Sequence, residues 1–600
     1  MATATTGPGD FFARQDAARG ATRRLVVLYL LAVAAVVVAS DLALSFLFQL
    51  GNRHTGALPP VFHLAIGGGV LLVIAVGALM QWFELRGDAG ETVAARLGGR
   101  RVAPGSQDQR ERRLLNVVEE MALAAGLPVP AVYVLEGEGA INAFAAGWSP
   151  DRASVAVTRG ALDTLTRDEL QGVVAHELSH VLNGDMALNL RLMCGQHGLL
   201  ALTEVGRLLM RTRGRKNPLP LAGLALWLLG WIGWAAAMLL RAAVNRRREH
   251  LADAAAVQFT RNPHGLAAAL RKIGGHAGGA GLAHPAAAAT AHLLFAGDEG
   301  WSAWTSTHPP LAERIRLLDP AWDGRFPTVL PTVSTSPPPP PLPVAGLAPA
   351  RPATAPQAAL VATLPTPGQV RFATTTIAAL PPSLAAAARD PSAARAVALA
   401  LLADPDPARR RLQTDLLGTD PLLAADTARL LPLVAATGAE ARLPLLELAA
   451  PALRSLSTAQ RESFLRLASA WVHADGRLTL VELVGLRLLR AWLAGGAPPR
   501  PDFYAIAPLV PAAARLLATL AALDGRGQAA AAQAFACGWG TLPAPAPALP
   551  AAPAPAALDA DLDLLRRASP AIRRQLVEAA APTRAADGLV TAREAELVRA

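Results

Sequence analysis

Only two cysteines occur in 600 residues, Cys194 and Cys537. Neither has a CxxC partner, which excludes both a disulfide framework and a cysteine zinc site. Lysine is just as scarce, with Lys216 and Lys272 alone, so the net charge of +10 and the pI near 10.7 are carried by arginine. Aromatics make up 5% of the chain, and no basic run is interleaved with them, which argues against a nucleic-acid-binding module. Any metal must be held by histidine and carboxylate.

Apolar residues are plentiful, at 52% with a mean hydropathy of +0.31. Alanine inflates that fraction, so continuous runs are more informative than the average. Residues 25–50 and 61–83 are each long enough to cross a hydrocarbon core of about 30 Å as a helix. A cleaved signal peptide ending near Ala39 is disfavoured, because the apolar run resumes past Asp41 and a second follows at once. Asp41 lies towards the outer end of its span, where it is expected to reach interfacial water. Arg14, Arg19, Arg23 and Arg24 precede the pair and Arg86, Arg96, Arg100 and Arg101 follow it, with Arg53 between. That asymmetry predicts that the N-terminus and everything after residue 84 face the cytoplasm.

The length predicts more than one folded unit. A cytoplasmic segment, 1–24, leads into a membrane pair, 25–85, and a central domain, 86–322. A Pro/Ala-rich linker, 323–378, holds five consecutive prolines at 337–341, and a helical C-terminal domain, 379–600, is broken by a Pro-Ala stretch at 543–555. Within 86–322 the patterns predict a helix over 108–126, strands at "VPAVYVLEG" and "SVAVTRG", and a helix from Arg167 that ends at Asn183-Gly184. A capping box of Thr166 and Glu169 opens that last helix. Residues 218–240 carry no charge and read as a span, whereas 187–210 hold Arg191, His197, Glu204 and Arg207. A helix hairpin over about 187–241 is expected. The fold class is mainly α with a small β-sheet, followed by a separate all-α domain.

The chemistry sits in "VVAHELSHVLNGD", 173–185. At i and i+4 on a helix, His176 and His180 point the same way, which suits two imidazoles on one tetrahedral zinc. Glu177 can reach water at an open coordination position. A third ligand is expected from "NRRREHLADAAAV", 245–257, where Glu249 and Asp253 are also four apart. One carboxylate of that pair can bind metal while the other bonds an imidazole N–H, with His250 the rival ligand. An ordinary alternative is a membrane-edge helix whose acids merely offset Arg246, Arg247 and Arg248.

Taken in order, "NAFAAG" (142–147), "VVAHELSHVLNGD", "RRREHLAD" and "HPPLAERI", set around membrane spans, resemble the HtpX and CAAX-prenyl-protease family of integral-membrane zinc metallopeptidases. The resemblance covers about residues 20–320 and implies one Zn2+ per chain, held by His176, His180 and Glu249, with Glu177 as general base towards a zinc-activated water. It further implies that Asp253 supports a ligand histidine, that His308 approaches the site as a catalytic donor, and that Asn142, Ala143 and Phe144 line the substrate groove. Extended substrate is expected to add to a sheet edge near 154–158.

The expected function is a membrane zinc endopeptidase of gluzincin type, in the bacterial inner membrane with its catalytic domain towards the cytoplasm. Its expected partners are polypeptide substrates, membrane proteins among them, and the lipid bilayer, with membrane-protein quality control the implied task. The rival is a membrane-anchored scaffold whose metal site is structural or defunct, motivated by the long C-terminal extension. Prenyl-peptide processing is disfavoured by a span count of four or fewer. In the extension, "ADGRLTLVELVGLR" (474–487) and "ADGLVTAREAELVR" (586–599) echo one another and resemble TerB-like helical domains. Trp471 and His473 stand where an EF-hand would place oxygen ligands, so a helix-starting Asp-Gly turn is expected in place of calcium.

Overall fold

The computed structural model describes residues 9–52, 57–212, 218–276, 279–284, 294–296, 308–329, 367–493, 501–523 and 527–585. The chain divides into two units, one of residues 1–102 and 131–334, the other of residues 103–130 and 335–600.

The first unit opens with two long helices, α1 (Gly9–Asn52) and α2 (Pro60–Leu85), and a short α3 (Ala89–Arg96). Strand β1 (Gly99–Arg101) follows, and then α4 (Gln109–Ala125), which belongs to the second unit. The first unit resumes with β2 (Ala131–Leu135), β3 (Ala143–Ala146), β4 (Ser154–Thr158) and α5 (Arg159–Thr164). The site-bearing helices are α6 (Arg167–Asn183), α7 (Asp185–Met210) and α8 (Leu219–Thr260), and α9 (Pro263–Gly275) and α10 (Leu311–Leu318) close the unit.

Among the described residues, three helical stretches are long and apolar enough to cross a membrane: Val27–Leu50, Pro60–Leu85 and Leu219–Ala242. Helix α7 is less apolar and does not join them, yet it packs along both α2 and α8. Small residues set those contacts. A Cβ on Gly198 would lie 2.4 Å from the Ile74 carbonyl oxygen, and one on Gly206 would lie 2.6 Å from that of Gly223. Only glycine admits such backbone approach, the usual device where lipid removes the hydrophobic drive between helices. Asp41 is partnered, not merely solvated: its Oδ2 lies 2.8 Å from Nδ1 of His63 on α2. A shared bond across helices keeps that polar pair from facing hydrocarbon alone.

The sheet has the order β1-β2-β4-β3, with β2 and β4 parallel and both outer pairs antiparallel. Strand β4 at 154–158 is therefore interior, paired on both sides, and cannot accept a further strand. This corrects the expected docking edge: the end of the sheet next to β4 is β3, and its outer side is bridged at Phe144 by Leu294, with the Phe295 N–H donating to the Ala143 carbonyl at 2.7 Å. The strand signal there was weak, since "AFAA" is buried on both faces and shows no alternation. Edge strand β3 is held by Asn142, whose Oδ1 accepts from the Ala143 and Phe295 N–H groups, both at 2.9 Å. Its Nδ2 donates to the Ala280 and Ala296 carbonyls at 2.6 and 2.9 Å.

The second unit is a helical assembly with a Leu/Ala core in which Trp471 and Trp539 are fully buried. Helix α4, capped by Asp108 and ended by Gly126 at φ 66°, packs Leu123 and Ala124 against Ala373, Val370 and Ile377. Arg389 clasps Glu119 of α4 through two bonds, one of 2.8 Å from Nε. Helix α4 lies in the stretch 86–322 read as central domain, and helix Pro367–Ala379 lies in the stretch read as linker. At 474–487, Asp475 accepts from the Arg477 N–H at 2.9 Å and Gly476 takes φ 72°. Thr479 and Glu482 then cap the helix that begins at Leu480. The second copy, 586–599, lies outside the described residues.

Candidate metal centre

Helix α6 starts where its capping box demands, with Thr166 and Glu169 bonding each other's backbone N–H groups, and stops at Gly184 with φ 72°. Between those ends the motif helix is buried: His176 is 0% and Glu177 2% exposed. Helical spacing sets both imidazoles on one face, with Nε2 atoms 3.2 Å apart. Helix α8, running on from the third apolar span, delivers Glu249 to the same point. Its Oε2 lies 3.4 Å from His176 Nε2, and its Oε1 lies 3.5 Å from His180 Nε2.

Each imidazole is held from behind by a carboxylate that is itself paired with arginine. His176 Nδ1 lies 3.0 Å from Asp253 Oδ1, and Arg314 forks onto Asp253 with bonds of 2.8 and 2.7 Å. His180 Nδ1 lies 2.9 Å from Asp185 Oδ2, and Arg248 pairs with the other oxygen of Asp185. A carboxylate at Nδ1 fixes the tautomer with Nε2 as lone-pair donor. Both rings thus aim lone pairs at one place. His308 Nδ1 lies 3.1 Å from Glu249 Oε2, while His250 turns away towards Glu313, 3.4 Å distant.

The residues fit a zinc ion. Bonds of about 2.0–2.1 Å in a tetrahedron place neighbouring ligand atoms about 3.3–3.4 Å apart. The three observed separations, 3.2, 3.4 and 3.5 Å, match that edge length. Among the described residues, the two histidines His176 and His180 and the carboxylate of Glu249 form a group positioned to share an ion. Two buried imidazole lone pairs facing each other and a carboxylate repel unless a cation or proton lies between them.

Local charge shapes the acids differently. Burial pushes the Glu177 carboxyl up, against the pull of His176 and His180. Burial works the same way on Asp253, but the Arg314 guanidinium outweighs it and brings that carboxyl down to about 2. For Glu249 in the metal-free centre, burial is overcome by the charge of His308 and by protons shared with the three histidines, which hold it well below the usual carboxylate range. A cleft beside the cluster is lined by Glu177, His180, Glu249, Ala145 of β3 and Asn245.

Of the residues named from sequence, His176, His180, Glu249, Asp253 and His308 come together, and Glu177 faces the adjoining cleft. Ala143 and Phe144 are buried on the edge strand, and the Asn142 side chain is spent on backbone groups. Sequence alone singles out neither Asp185 nor Arg314, and it reads Arg248 only as a charge for nearby acids to offset. Asp185 closes the HExxH stretch and Arg314 stands within "HPPLAERI", so both lay in quoted motifs without a visible partner. Replacing Arg314 with Met should strand the Asp253 charge in the interior and cost roughly 3–5 kcal/mol. Thermal unfolding of metal-free protein reads this directly. A depressed carboxyl stabilises above its unfolded pKa and loses that contribution as the pH falls through the folded one. The wild-type advantage over Arg314→Met should therefore be full above about pH 4 and fade towards pH 2.

Comparison with known proteins agrees with this geometry. The model of Peptidase family M48 matches residues 108–321. A Protease HtpX homolog of Caldanaerobacter subterraneus subsp. tengcongensis is 40% identical over 217 residues, 34% of this chain and 70% of that protein. The chain belongs to the HtpX-like branch of this peptidase family. The Thermoanaerobacter pseudethanolicus HtpX homolog is 36% identical, covering 43% of this chain and 86% of its own length. That of Streptococcus thermophilus is 34% identical across 96% of its length and 44% of this chain. No solved structure matches the chain. HtpX-like kinship and the apolar helices make it a membrane-associated metallopeptidase.

Proposed function

We propose that the protein is a zinc endopeptidase of the bacterial inner membrane, its cleft open to the cytoplasm, acting on damaged or misassembled membrane proteins. One observation carries the reading: lone-pair donors from α6 and α8 converge at tetrahedral spacing beside a cleft that also holds Glu177. His176, His180 and Glu249 would hold a single zinc ion. When bound, zinc supplies Lewis acidity, which acidifies water to a pKa of about 7 and polarises a carbonyl.

The chain's own groups do the rest. Asp253 and Asp185 hold the two imidazoles in one tautomer, and Arg314 and Arg248 hold those carboxylates in turn. Glu177, kept out of bulk water, takes the proton from the attacking water and returns it to the leaving amine. His308, anchored to Glu249 through Nδ1, is assigned the donor that meets the developing oxyanion. Extended substrate lies in the cleft beside Ala145 of β3, where backbone contacts select for conformation more than for sequence. The flanking arginines support the cytoplasmic orientation.

Metal removal tests the reading. Casein hydrolysis by purified protein should fall to background after chelation and return with one equivalent of zinc. Hydrolysis that survives exhaustive chelation would sink the proposal, and zinc bound without hydrolysis of any substrate would favour a scaffold.

A further inference from the structure

The mechanism above leaves one wall of the cleft unused. Asn245 stands on α8 one turn before Glu249, just past the end of the apolar stretch Leu219–Ala242. It is 4% exposed and lines the cleft with Glu177, His180 and Glu249. Its carboxamide offers two donors and an acceptor, yet makes no hydrogen bond with any described residue. Asn189, four residues after Asp185 on α7, lines the same cleft half-buried and is likewise without a side-chain partner among the described residues.

Buried polar groups are almost always satisfied, because desolvating an amide without replacing its bonds is unfavourable. The neighbouring side chains are engaged with other groups of the chain. Asp185 is spent on His180 and Arg248, Glu249 faces three imidazoles, and Asn142 is saturated by backbone groups. Asn245 has no such partner among the described residues, and its amide atoms are not sealed in the interior but open onto the cleft, where a ligand would supply the missing bonds. Helical spacing puts Asn245 and Glu249 on one face of α8, so the amide sits beside the reacting centre without belonging to the donor cluster.

A carboxamide complements a peptide unit: its oxygen accepts from a substrate N–H while its NH2 donates to a substrate carbonyl. Such a pair holds backbone whatever the side chains are. We propose that Asn245, with Asn189 beside it, is a substrate-binding residue that hydrogen-bonds one peptide unit of an extended polypeptide on the α7–α8 side of the cleft. This inference rests on the endopeptidase reading. It adds a second backbone contact to that of β3, placed at the membrane end of the site, where a segment leaving a membrane span would meet it first.

The test uses full-length zinc-loaded protein in detergent, a fluorogenic peptide, and a series of that peptide carrying one N-methyl or ester substitution at each backbone position. Asn245→Ala should raise KM about tenfold, the worth of one or two backbone hydrogen bonds, while kcat, zinc content and the unfolding temperature hold. One backbone substitution should cost the wild type about tenfold and cost Asn245→Ala nothing. An unchanged KM, or a variant as sensitive as wild type at every position, would overturn the inference, as would a fall in zinc content or unfolding temperature, which would make Asn245 structural. The two readings fail differently: an inactive, zinc-free wild type defeats the endopeptidase reading, whereas an active wild type indifferent to Asn245 defeats this inference alone.

Discussion

Glu177→Gln should reduce peptide hydrolysis by roughly 10²–10⁴-fold while zinc stays bound at one equivalent. The change keeps the shape of the side chain and removes its basicity. Glu177 lines the cleft but is not one of the converging donors, so the ion should not notice. The residue is 2% exposed and its carboxyl is pushed up by burial. An acid of that kind destabilises the fold once the pH passes its unfolded value and it is forced to ionise. Metal-free Glu177→Gln should accordingly unfold at or above the wild-type temperature at neutral pH, which separates lost chemistry from lost structure. Hydrolysis near wild-type rates would remove Glu177 from the reaction.

Glu249→Ala should abolish stoichiometric zinc, lowering affinity by more than the 10–100-fold typical of losing an outer partner. It deletes one of the three donors and also the group that Arg314 approaches at 3.6 Å and His308 at 3.1 Å. Asp253→Asn is the useful comparison. It leaves all three donors but weakens the hold on His176 Nδ1, so its loss of affinity should stay within about 10–100-fold. Isothermal titration against a competing chelator ranks the two, and equal losses would contradict the division into ligand and support.

Much of this arrangement was legible in the chain because it is local. The capping box at Thr166, the stop at Gly184 and the i, i+4 spacings of 176/180 and 249/253 are helical arithmetic, and the structure bears out the helix and its ends. Membrane helices follow from runs that no soluble packing needs. What escaped was non-local or turn-dependent. Asp185 reaches His180 only because Gly184 bends the chain from α6 into α7, and Arg314 meets Asp253 across 61 residues. The interior place of β4 depended on pairing with β3, a strand too small and too uniformly buried to show a period of two. The grouping of α4 with helix Pro367–Ala379 is a contact between stretches more than 240 residues apart, which no local pattern encodes.

X-ray absorption at the zinc K-edge of purified full-length protein tests the centre most directly. The account predicts one zinc per chain with a nitrogen and oxygen shell at about 2.0–2.1 Å, two imidazoles in its outer scattering, no sulfur, and loss of the spectrum in Glu249→Ala. A sulfur shell at about 2.3 Å, or a spectrum indifferent to Glu249→Ala, would contradict it.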